Sequence, residues 1–394
     1  MADSRTRFLG PVGGVRGRSF PHHDRTGEPM YQTPQQYSPV MPYETPPPPR
    51  RRVLPLLLLP PVLLALLIFG GSYAVSPEPD VEMQAGFAFV EIDGRDVVLA
   101  PYARHGVRGV FQLMTQDLFQ VRLAATDPAT GEVLWDTQLS DRLSWEASVL
   151  AAGRHHAYLA TDSGLVVVAL ADGSVVVEGA GVPGLGDAFA AARTAYAYDP
   201  ESRRVMAMNA AGGVVAVRLD EVTATPVDPQ TAAAWSDRLS VQRGPGAPTT
   251  ATGVEAALNG GAERIALRQA PGGVPGSVLV RVTADGRELP VGATTFHGAR
   301  LVVDGVTAVA AATGHVLVEH QRSADDTGVA LSLVSLATGQ VTATLTVDSR
   351  VERALVGPDG ITALTAGEVF AAARGDGRVV PLDVGSADFF GTHR

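Results

Sequence analysis

Residues 85–394 repeat one pattern of apolar and polar positions. A stretch rich in Val, with apolar and polar residues alternating, enters a tight turn, and a second such stretch follows. Alternation with a period of two predicts a β-strand, and Asp-Gly or Thr-Gly provides the residue that a hairpin turn requires. The seven hairpins are VEIDGRDVVLA (90–100), ATDPATGEVLW (125–135), VALADGSVVVE (168–178), VRLDEVTATPV (217–227), VRVTADGREL (280–289), VSLATGQVTATL (334–345) and AARGDGRVVPLD (372–383).

The spacing of these hairpins predicts a repeat architecture. Successive turns are 37 to 65 residues apart, and most intervals approach the 40–50 residues of a four-stranded propeller blade. Additional strand pairs fall between the hairpins, at 155–170, 204–219 and 353–373. We therefore predict an all-β fold, a β-propeller of six to eight blades with seven favoured. We also expect the N-terminal strand to complete the last blade and so close the ring.

The longest interval between hairpins contains the part of this region that least resembles a strand. Residues 229–253, PQTAAAWSDRLSVQRGPGAPTTATG, are rich in Ala, Pro, Gly and Thr and show no alternation. They predict a long loop, with a short helix as one option, on one face of the propeller.

An uncharged segment precedes the repeats. Residues 53–75 (VLPLLLLPPVLLALLIFGGSYAV) carry no charge over 23 positions, enough to span a bilayer core of about 30 Å as a helix. Arg50–Arg52 precede the segment and acidic residues follow it, which places the N-terminus in the cytoplasm. We predict a single transmembrane helix acting as a signal anchor. A signal cleaved after the small-x-small sequence Ser72–Ala74, which would release a secreted protein, and a buried soluble helix remain alternatives.

Charge and composition separate the remaining segments. Residues 1–52 contain eight Arg against four acidic residues, with scattered Pro and a Pro run at 46–49, and predict a disordered cytoplasmic tail. Residues 76–84 are predicted to be a linker, and residues 85–394 the extracytoplasmic propeller. Residues 76–394 carry 23 Arg against 37 acidic residues, which argues against nucleic acid as a partner.

The hairpin at 125–135 resembles the repeat of the quinoprotein (PQQ)-like β-propellers. In that repeat, an Asp-x-x-Thr-Gly-Glu-x-x-Trp hairpin closes each blade and its Trp packs against the next blade. Asp127, Thr130, Gly131, Glu132 and Trp135 match this pattern. The other hairpins match only the turn, so the resemblance implies the fold more than an activity.

Members of that family include quinone-dependent alcohol dehydrogenases, a scaffold lipoprotein of outer-membrane protein assembly and sensor ectodomains. The chain has no Cys, which removes the vicinal Cys pair that many of the dehydrogenases use and also a lipid-anchored Cys. All 31 of its basic residues other than His are Arg, a bias typical of a GC-rich genome and consistent with an actinobacterial type of cell.

No pattern in the sequence predicts a catalytic, cofactor-binding or metal site. His155 and His156 are neighbours, and His315 and His320 are five apart, so in strands each pair faces opposite sides of a sheet. The acidic groups at 91–96 and 325–326 are interpreted as hairpin turns, because they lack the ligand spacing of a calcium loop. Nucleophile-elbow and phosphate-loop motifs are absent from the sequence.

These observations predict a non-enzymatic binding or scaffold propeller on the outer face of a bacterial cell membrane. The expected partner is an envelope protein or a small ligand of unknown identity, and the oligomeric state is undetermined. The alternatives are a propeller enzyme, either a hydrolase or a quinone-dependent dehydrogenase, and a ligand-sensing ectodomain.

Overall fold

The structure is a computed structural model that describes residues 54–84, 86–241, 252–258 and 261–390. The predicted disordered tail, 1–52, lies outside the described residues. The chain divides into two compact units, residues 1–57 and residues 58–394. In the first unit, only the beginning of a helix at 54–57 is described.

The uncharged segment forms three consecutive helical pieces. These are α1 (Leu54–Ala65), which contains Pro60 and Pro61, a π-helical turn (Leu66–Gly70) and α2 (Gly71–Val75). Among the described residues, no single helix combines the length and apolar character needed to cross a membrane. The segment predicted to be one helix is thus divided.

The first sheet has five strands and is built around a long central one. Its order is β1-β3-β4-β5, and β2 also pairs with β3. The eleven residues of β3 hold β2 along their first half and β1 along their second. Its residues from Val97 to Ala103 are buried, because the sheet is covered on both faces. The strands are β1 (Asp80–Met83), β2 (Ala88–Ile92), β3 (Arg95–His105), β4 (Phe119–Thr126) and β5 (Val133–Ser140).

The second, third and last sheets each contain four antiparallel strands in chain order. The second sheet is β6 (Ala147–Ala152), β7 (His156–Thr161), β8 (Gly164–Ala169) and β9 (Val175–Glu178). The third sheet is β10 (Tyr196–Asp199), β11 (Arg204–Met208), β12 (Val214–Arg218) and β13 (Ala224–Pro226).

A ten-stranded sheet contains two more runs of four antiparallel strands. One run is β15 to β18, and the other is β19 with β21 to β23; the short β20 joins them by pairing with both β15 and β19. The strands are β14 (Thr252–Gly253), β15 (Glu255–Leu258), β16 (Glu263–Gln269), β17 (Ser277–Val282), β18 (Glu288–Pro290), β19 (His297–Asp304), β20 (Thr307–Ala308), β21 (His315–Ser323), β22 (Asp326–Ser335) and β23 (Val341–Val347).

The last sheet again has four antiparallel strands in chain order. They are β24 (Arg353–Val356), β25 (Thr362–Ala366), β26 (Val369–Ala373) and β27 (Val379–Pro381). Among the described residues after 75, two α-helices are present: α3 (Gly109–Thr115) and α4 (Pro229–Ser236). Single 3₁₀ turns occur at Gly179–Gly181, Gly186–Ala188, Arg193–Ala195, Pro271–Gly273, Ala311–Thr313 and Pro358–Gly360.

The short helix considered as an option for the longest interval is confirmed. α4 begins after Asp228, whose carboxylate accepts hydrogen bonds from the backbone N–H groups of Gln230 and Thr231. This cap and the Pro at the first helical position favour a helix start. Residues 242–251 of the predicted loop lie outside the described part of the chain.

The strands thus fall into six groups along the described chain: β1–β5, β6–β9, β10–β13, β15–β18, β19 with β21–β23, and β24–β27. All seven predicted hairpins are present. Six of them join the last two strands of a group, whereas the hairpin at Asp93-Gly94 joins β2 to β3. The turn count therefore exceeds the group count by one.

Adjacent groups contact each other through these turns. In the second, third, fifth and sixth groups, the final turn lies against the group that precedes it, and the final turn of the first group lies against the sixth. This succession of four-stranded antiparallel groups is the organisation of a β-propeller. The contacts are Gly131 with Val380 and Pro381, Gly173 with Trp135, Asp220 with Arg154 and His155, Gly339 with Gly292, and Gly377 with Thr342.

The Trp of the family-like hairpin packs as the resemblance implies. The Trp135 indole N–H donates a hydrogen bond of 2.8 Å to the Leu170 carbonyl oxygen in the second group. Gly173 has a φ of +74°, and a Cβ atom there would lie 2.4 Å from the Trp135 ring. Only glycine satisfies both the backbone and the close approach. The predicted packing of Trp135 on the next group is confirmed.

The first and last groups meet through side chains. Phe87 and Phe370 pack edge to face, with ring centroids 5.7 Å apart, inside an apolar cluster that contains residues of both groups. The N-terminal strand β1 pairs with β3 of its own group. The expectation that this strand completes the last group is wrong, since β24–β27 already supply four strands from the C-terminal part of the chain.

Candidate functional site

The connection between β3 and β4 is the longest connection within the first group. It spans residues 106–118 and carries α3, whereas the turn at the other end of β3 is the tight Asp93-Gly94 hairpin. α3 packs directly on α2: Gly109 has a φ of +76°, and a Cβ there would lie 2.8 Å from Tyr73 Cα. A side chain at position 109 would therefore separate the two helices.

Arg104, near the end of β3, is the buried cation of this region. Its side chain is on the same face of the strand as Tyr102, and the residue is only 2% exposed. One terminal nitrogen is 3.3 Å from Gln112 Oε1, which also accepts from the Arg108 backbone N–H at 2.8 Å. Among the described residues, Arg104 Nε has no hydrogen-bond partner.

The charge of Arg104 is only partly compensated. Burial lowers its pKa; nearby Tyr102 acts in the opposite direction, and Arg122 adds to the lowering. No carboxylate of the described chain lies within ion-pair distance of its guanidinium. A buried guanidinium N–H without an acceptor is costly, so this group is suited to receive an anion.

The neighbouring Arg122 is compensated. Its Nε donates to Asp136 Oδ1 at 2.8 Å, while the Tyr102 hydroxyl donates to Asp136 Oδ2 at 2.5 Å. Burial and then Asp136 raise the pKa of Tyr102 well above its usual range. Each oxygen of the Asp136 carboxylate accepts from one of these two donors, and the hydrogen bonds of the described residues give Arg104 no contact with it.

A cleft of about 280 Å³ opens beside Arg104. Glu78 and Arg108 form an ion pair at its edge, with 2.8 Å between Oε1 and Nη1. The Arg108 Nε donates to the Tyr73 carbonyl oxygen at 3.2 Å, and its guanidinium lies 4.4 Å from the centre of the Tyr73 ring. The lining residues are Glu78, Pro79, Val81, Arg104, Arg108, Asp383, Val384, Gly385, Ser386 and Ala387.

Three distant parts of the chain are held together at this cleft. The Tyr73 hydroxyl donates to the Ala387 carbonyl oxygen at 3.2 Å, and Gln112 Nε2 donates to the Asp388 carbonyl oxygen at 2.8 Å. Residues 76–79 connect α2 to β1, so the second half of the predicted linker, 80–83, belongs to the first sheet. Tyr73 in α2 thus contacts both the β3–β4 connection and the C-terminal segment.

Chemically, the cleft is suited to binding. Arg stays protonated at physiological pH, so it donates hydrogen bonds without exchanging a proton. A carboxylate or phosphate in the cleft would be attracted to the Arg104 guanidinium, but Glu78 and Asp383 also line the cleft and would repel an anion that lies close to them. These features favour one small anionic group, carried by a free ligand or by a partner side chain.

The two pairs of His residues noted in the sequence lie outside the cleft beside Arg104. The His155 backbone N–H donates to Asp220, His315 Nδ1 contacts the Thr313 carbonyl oxygen at 3.0 Å, and His320 Nε2 contacts Ser332 Oγ at 2.8 Å. Within the described chain, no three His, Asp or Glu side chains converge as a metal site. The absence of metal, cofactor and catalytic sites stays a prediction.

The sequence contained one overlooked signal for Arg104. Alternation along VVLAPYARH places Arg104 on the same face as Val98, Ala100 and Tyr102, which are buried. A charged residue in the register of a buried face is unusual unless it has a partner or a ligand.

Comparison with known proteins assigns neither a family nor an activity to the chain. No family model and no curated protein matches the chain. The similar solved structures include BamB from Moraxella catarrhalis, with 14% identity over 76% of this chain and 84% of that one and a TM-score of 0.25. The calcium-binding protein regucalcin from Agrobacterium tumefaciens has 15% identity over 73% and 82%, with a TM-score of 0.25. Puromycin hydrolase has 14% identity over 80% of this chain and 48% of that one, with a TM-score of 0.25.

Proposed function

We propose that this chain is a non-enzymatic binding module, a β-propeller anchored in the cell membrane with the propeller outside the cell. The observation that carries the binding function is the cleft lined by Arg104, a buried cation whose Nε has no hydrogen-bond partner among the described residues. The ligand class is a carboxylate or a phosphate group, on a small molecule or on an envelope protein.

The membrane anchor is supported by the sequence of the N-terminal segment. Residues 53–75 are uncharged and follow Arg50–Arg52. The three helical pieces together contain 22 residues, about 30 Å of helix at roughly 1.5 Å per residue. The basic flank is expected to remain on the cytoplasmic side. External protease on wall-stripped cells should therefore digest residues 76–394 and spare the tail, and the opposite pattern would contradict this orientation.

We further propose a closed ring of six blades, one per strand group. The first group contacts the sixth through Gly131, and the Arg374 guanidinium donates to the Ala129 carbonyl oxygen at 2.6 Å. The seventh hairpin counted in the sequence lies inside the first group. A quinoprotein-like origin for the repeat is supported by the hairpin that ends in Trp135 and by its packing.

Binding at the cleft is tested with the purified full chain in mild detergent. Inorganic phosphate and acetate should each raise the Tm above that in chloride at equal ionic strength, because a ligand that binds only the folded state stabilises it. Arg104→Gln should abolish this rise. Arg281→Gln, which removes a half-exposed cation from the fourth group, is the control and should retain it.

Equal melting temperatures in phosphate, acetate and chloride for the unsubstituted chain would contradict an anion site. A rise that Arg104→Gln leaves intact would place the site elsewhere.

Ligand sensing is the second candidate, because one residue of the cleft also touches the helical segment. Arg108 reaches the Tyr73 carbonyl oxygen and ring, so an anion that attracts its guanidinium would alter the contact between α2 and the propeller. In a sensor, adding ligand would change how readily residues 53–75 are chemically labelled or cut by protease. In a simple binding module, ligand would leave both unchanged.

A further inference from the structure

We infer that an apolar collar around the helical segment is immersed in the outer leaflet of the lipid bilayer, so that the propeller is held directly against the membrane. This inference rests on the proposed anchor. The collar consists of the exposed apolar residues of the β3–β4 connection and of the C-terminal segment: Leu113, Met114, Leu118 and Phe390.

The collar residues are unusually exposed for their chemistry. Met114 is 72% exposed, Phe390 64% and Leu113 56%. They lie on two segments far apart in sequence that α3 brings together: Phe111 of α3 packs against Phe390, with ring centroids 5.7 Å apart. Apolar residues gathered on one surface mark a binding face, whereas scattered ones do not.

The collar is continuous with the uncharged helical segment. Phe69 packs on Phe111 with ring centroids 6.2 Å apart, and Phe111 stacks on Phe389 at 5.2 Å. An almost wholly apolar groove of about 670 Å³ separates the two surfaces. It is lined by Val62, Ala65, Leu66, Phe69, Gly70, Phe111, Met114, Thr115 and Phe389.

The position of this groove along the helical segment sets the depth of the collar. The uncharged segment ends at Val75, and the groove reaches from Gly70 back to Val62. At roughly 1.5 Å per residue, those positions lie about 7–20 Å below the outer end of the segment. If the segment spans a core of about 30 Å, the groove and Met114 lie below the level of the lipid headgroups.

Lipid is the occupant that this geometry favours. Acyl chains fill an irregular groove that opens onto a lipid-facing helix, and they need no matching surface. The polar groups are arranged accordingly: the Arg108–Glu78 ion pair and the Arg104 cleft adjoin α2, toward the outer end of the segment. Amphipathic surfaces of this kind bind at the boundary between headgroups and acyl chains.

The absence of cysteine allows a direct test by site-specific labelling. Single variants Met114→Cys, Leu64→Cys and Val306→Cys of the full chain are labelled with an environment-sensitive fluorophore and reconstituted into phosphatidylcholine–phosphatidylglycerol vesicles. Leu64 reports the anchor, and Val306, 79% exposed in the turn between β19 and β20, is the matched apolar control. All three sites are exposed, so the substitutions should leave the fold intact.

We expect lipids with a quencher on the acyl chain to quench the labels at positions 64 and 114 by at least half, and to leave the label at 306 unchanged. Quenching at 64 without quenching at 114 would overturn the collar and leave the anchor standing. Quenching at neither position would overturn the anchor itself. A label at 114 that is shielded from aqueous iodide but not quenched by lipid would mean that protein covers the collar, which also overturns the inference.

Discussion

At the scale of single residues, two arginines on adjacent strands differ in whether a carboxylate compensates their charge. Arg122 shares Asp136 with Tyr102, and Arg104 two positions further along β3 has only Gln112. A buried ion pair resists loss of one partner, because the other is left charged and unpaired. An unpaired buried cation instead makes the empty site less stable. An anion that pairs with it would remove this cost, which favours binding.

This contrast predicts opposite results for the same substitution. Arg122→Met should lower the free energy of unfolding by about 3 kcal/mol, since Asp136 loses its partner. Arg104→Met should leave the free energy of unfolding unchanged within about 1 kcal/mol or raise it, because the buried cation is removed with no carboxylate left behind. Urea unfolding of the full chain in detergent, without phosphate, measures both.

A strong loss of stability in Arg104→Met would show that the structure itself depends on this guanidinium. The anion-binding role of the cleft would then lose its physical basis.

At the scale of structural elements, the turns between the last two strands contact a neighbouring group in five of the six groups. The turns at Gly173 and Gly286 have nearly the same backbone, with φ of +74° and +82°. Gly173 lies against the Trp135 ring, whereas a Cβ at Gly286 would meet no described atom within 4 Å. The same turn thus occurs once with a close neighbour and once in open space.

Gly173→Ala and Gly286→Ala therefore separate backbone strain from packing. Each should lose about 1 kcal/mol for the left-handed backbone, and Gly173→Ala should lose a further 1–3 kcal/mol because the methyl group displaces Trp135. Tryptophan fluorescence during urea unfolding reports both stability and the environment of the indole. Equal losses in the two variants would mean that the contact between the first and second groups is unimportant.

At the scale of the whole molecule, closure between the first and sixth groups depends on side chains and turns. Arg374, directly after β26, donates to the Ala129 carbonyl oxygen of the first group, and its guanidinium also lies 3.6 Å from the Asp376 carboxylate. Arg378 pairs with the same Asp376 at 2.6 Å but stays within its own hairpin. The two residues provide a matched comparison of a closing contact with a local one.

Arg374→Ala should lower the free energy of unfolding by about 1.5–3 kcal/mol, the usual contribution of a hydrogen bond from a charged donor. Arg378→Ala, the control, should change it by less than about 0.5 kcal/mol, because exposed ion pairs contribute little. Thermal and urea unfolding measure both. Similar small effects in the two variants would argue that this contact does not hold the first and sixth groups together.

Features that depend on neighbouring residues could be predicted from the sequence, whereas features that depend on contacts between distant residues could not. The hairpins followed from alternation and from turn residues such as Asp93-Gly94, which act locally. The partner of β1 did not follow, because β3 is long enough to pair with both β1 and β2, and local alternation does not show which strands lie next to each other. The cleft beside Arg104 was also missed, since its walls come from residues 78–108 and 383–387.

The manner of closure has an evolutionary consequence. Since β1 pairs inside the first group, no strand is exchanged between the first and last groups, and most groups are uninterrupted stretches of sequence. A gene duplication or deletion that adds or removes one such stretch would leave every other group with its own strands. The fourth and fifth groups are the exception: β20 ties them into one sheet, so they should be inherited as a pair.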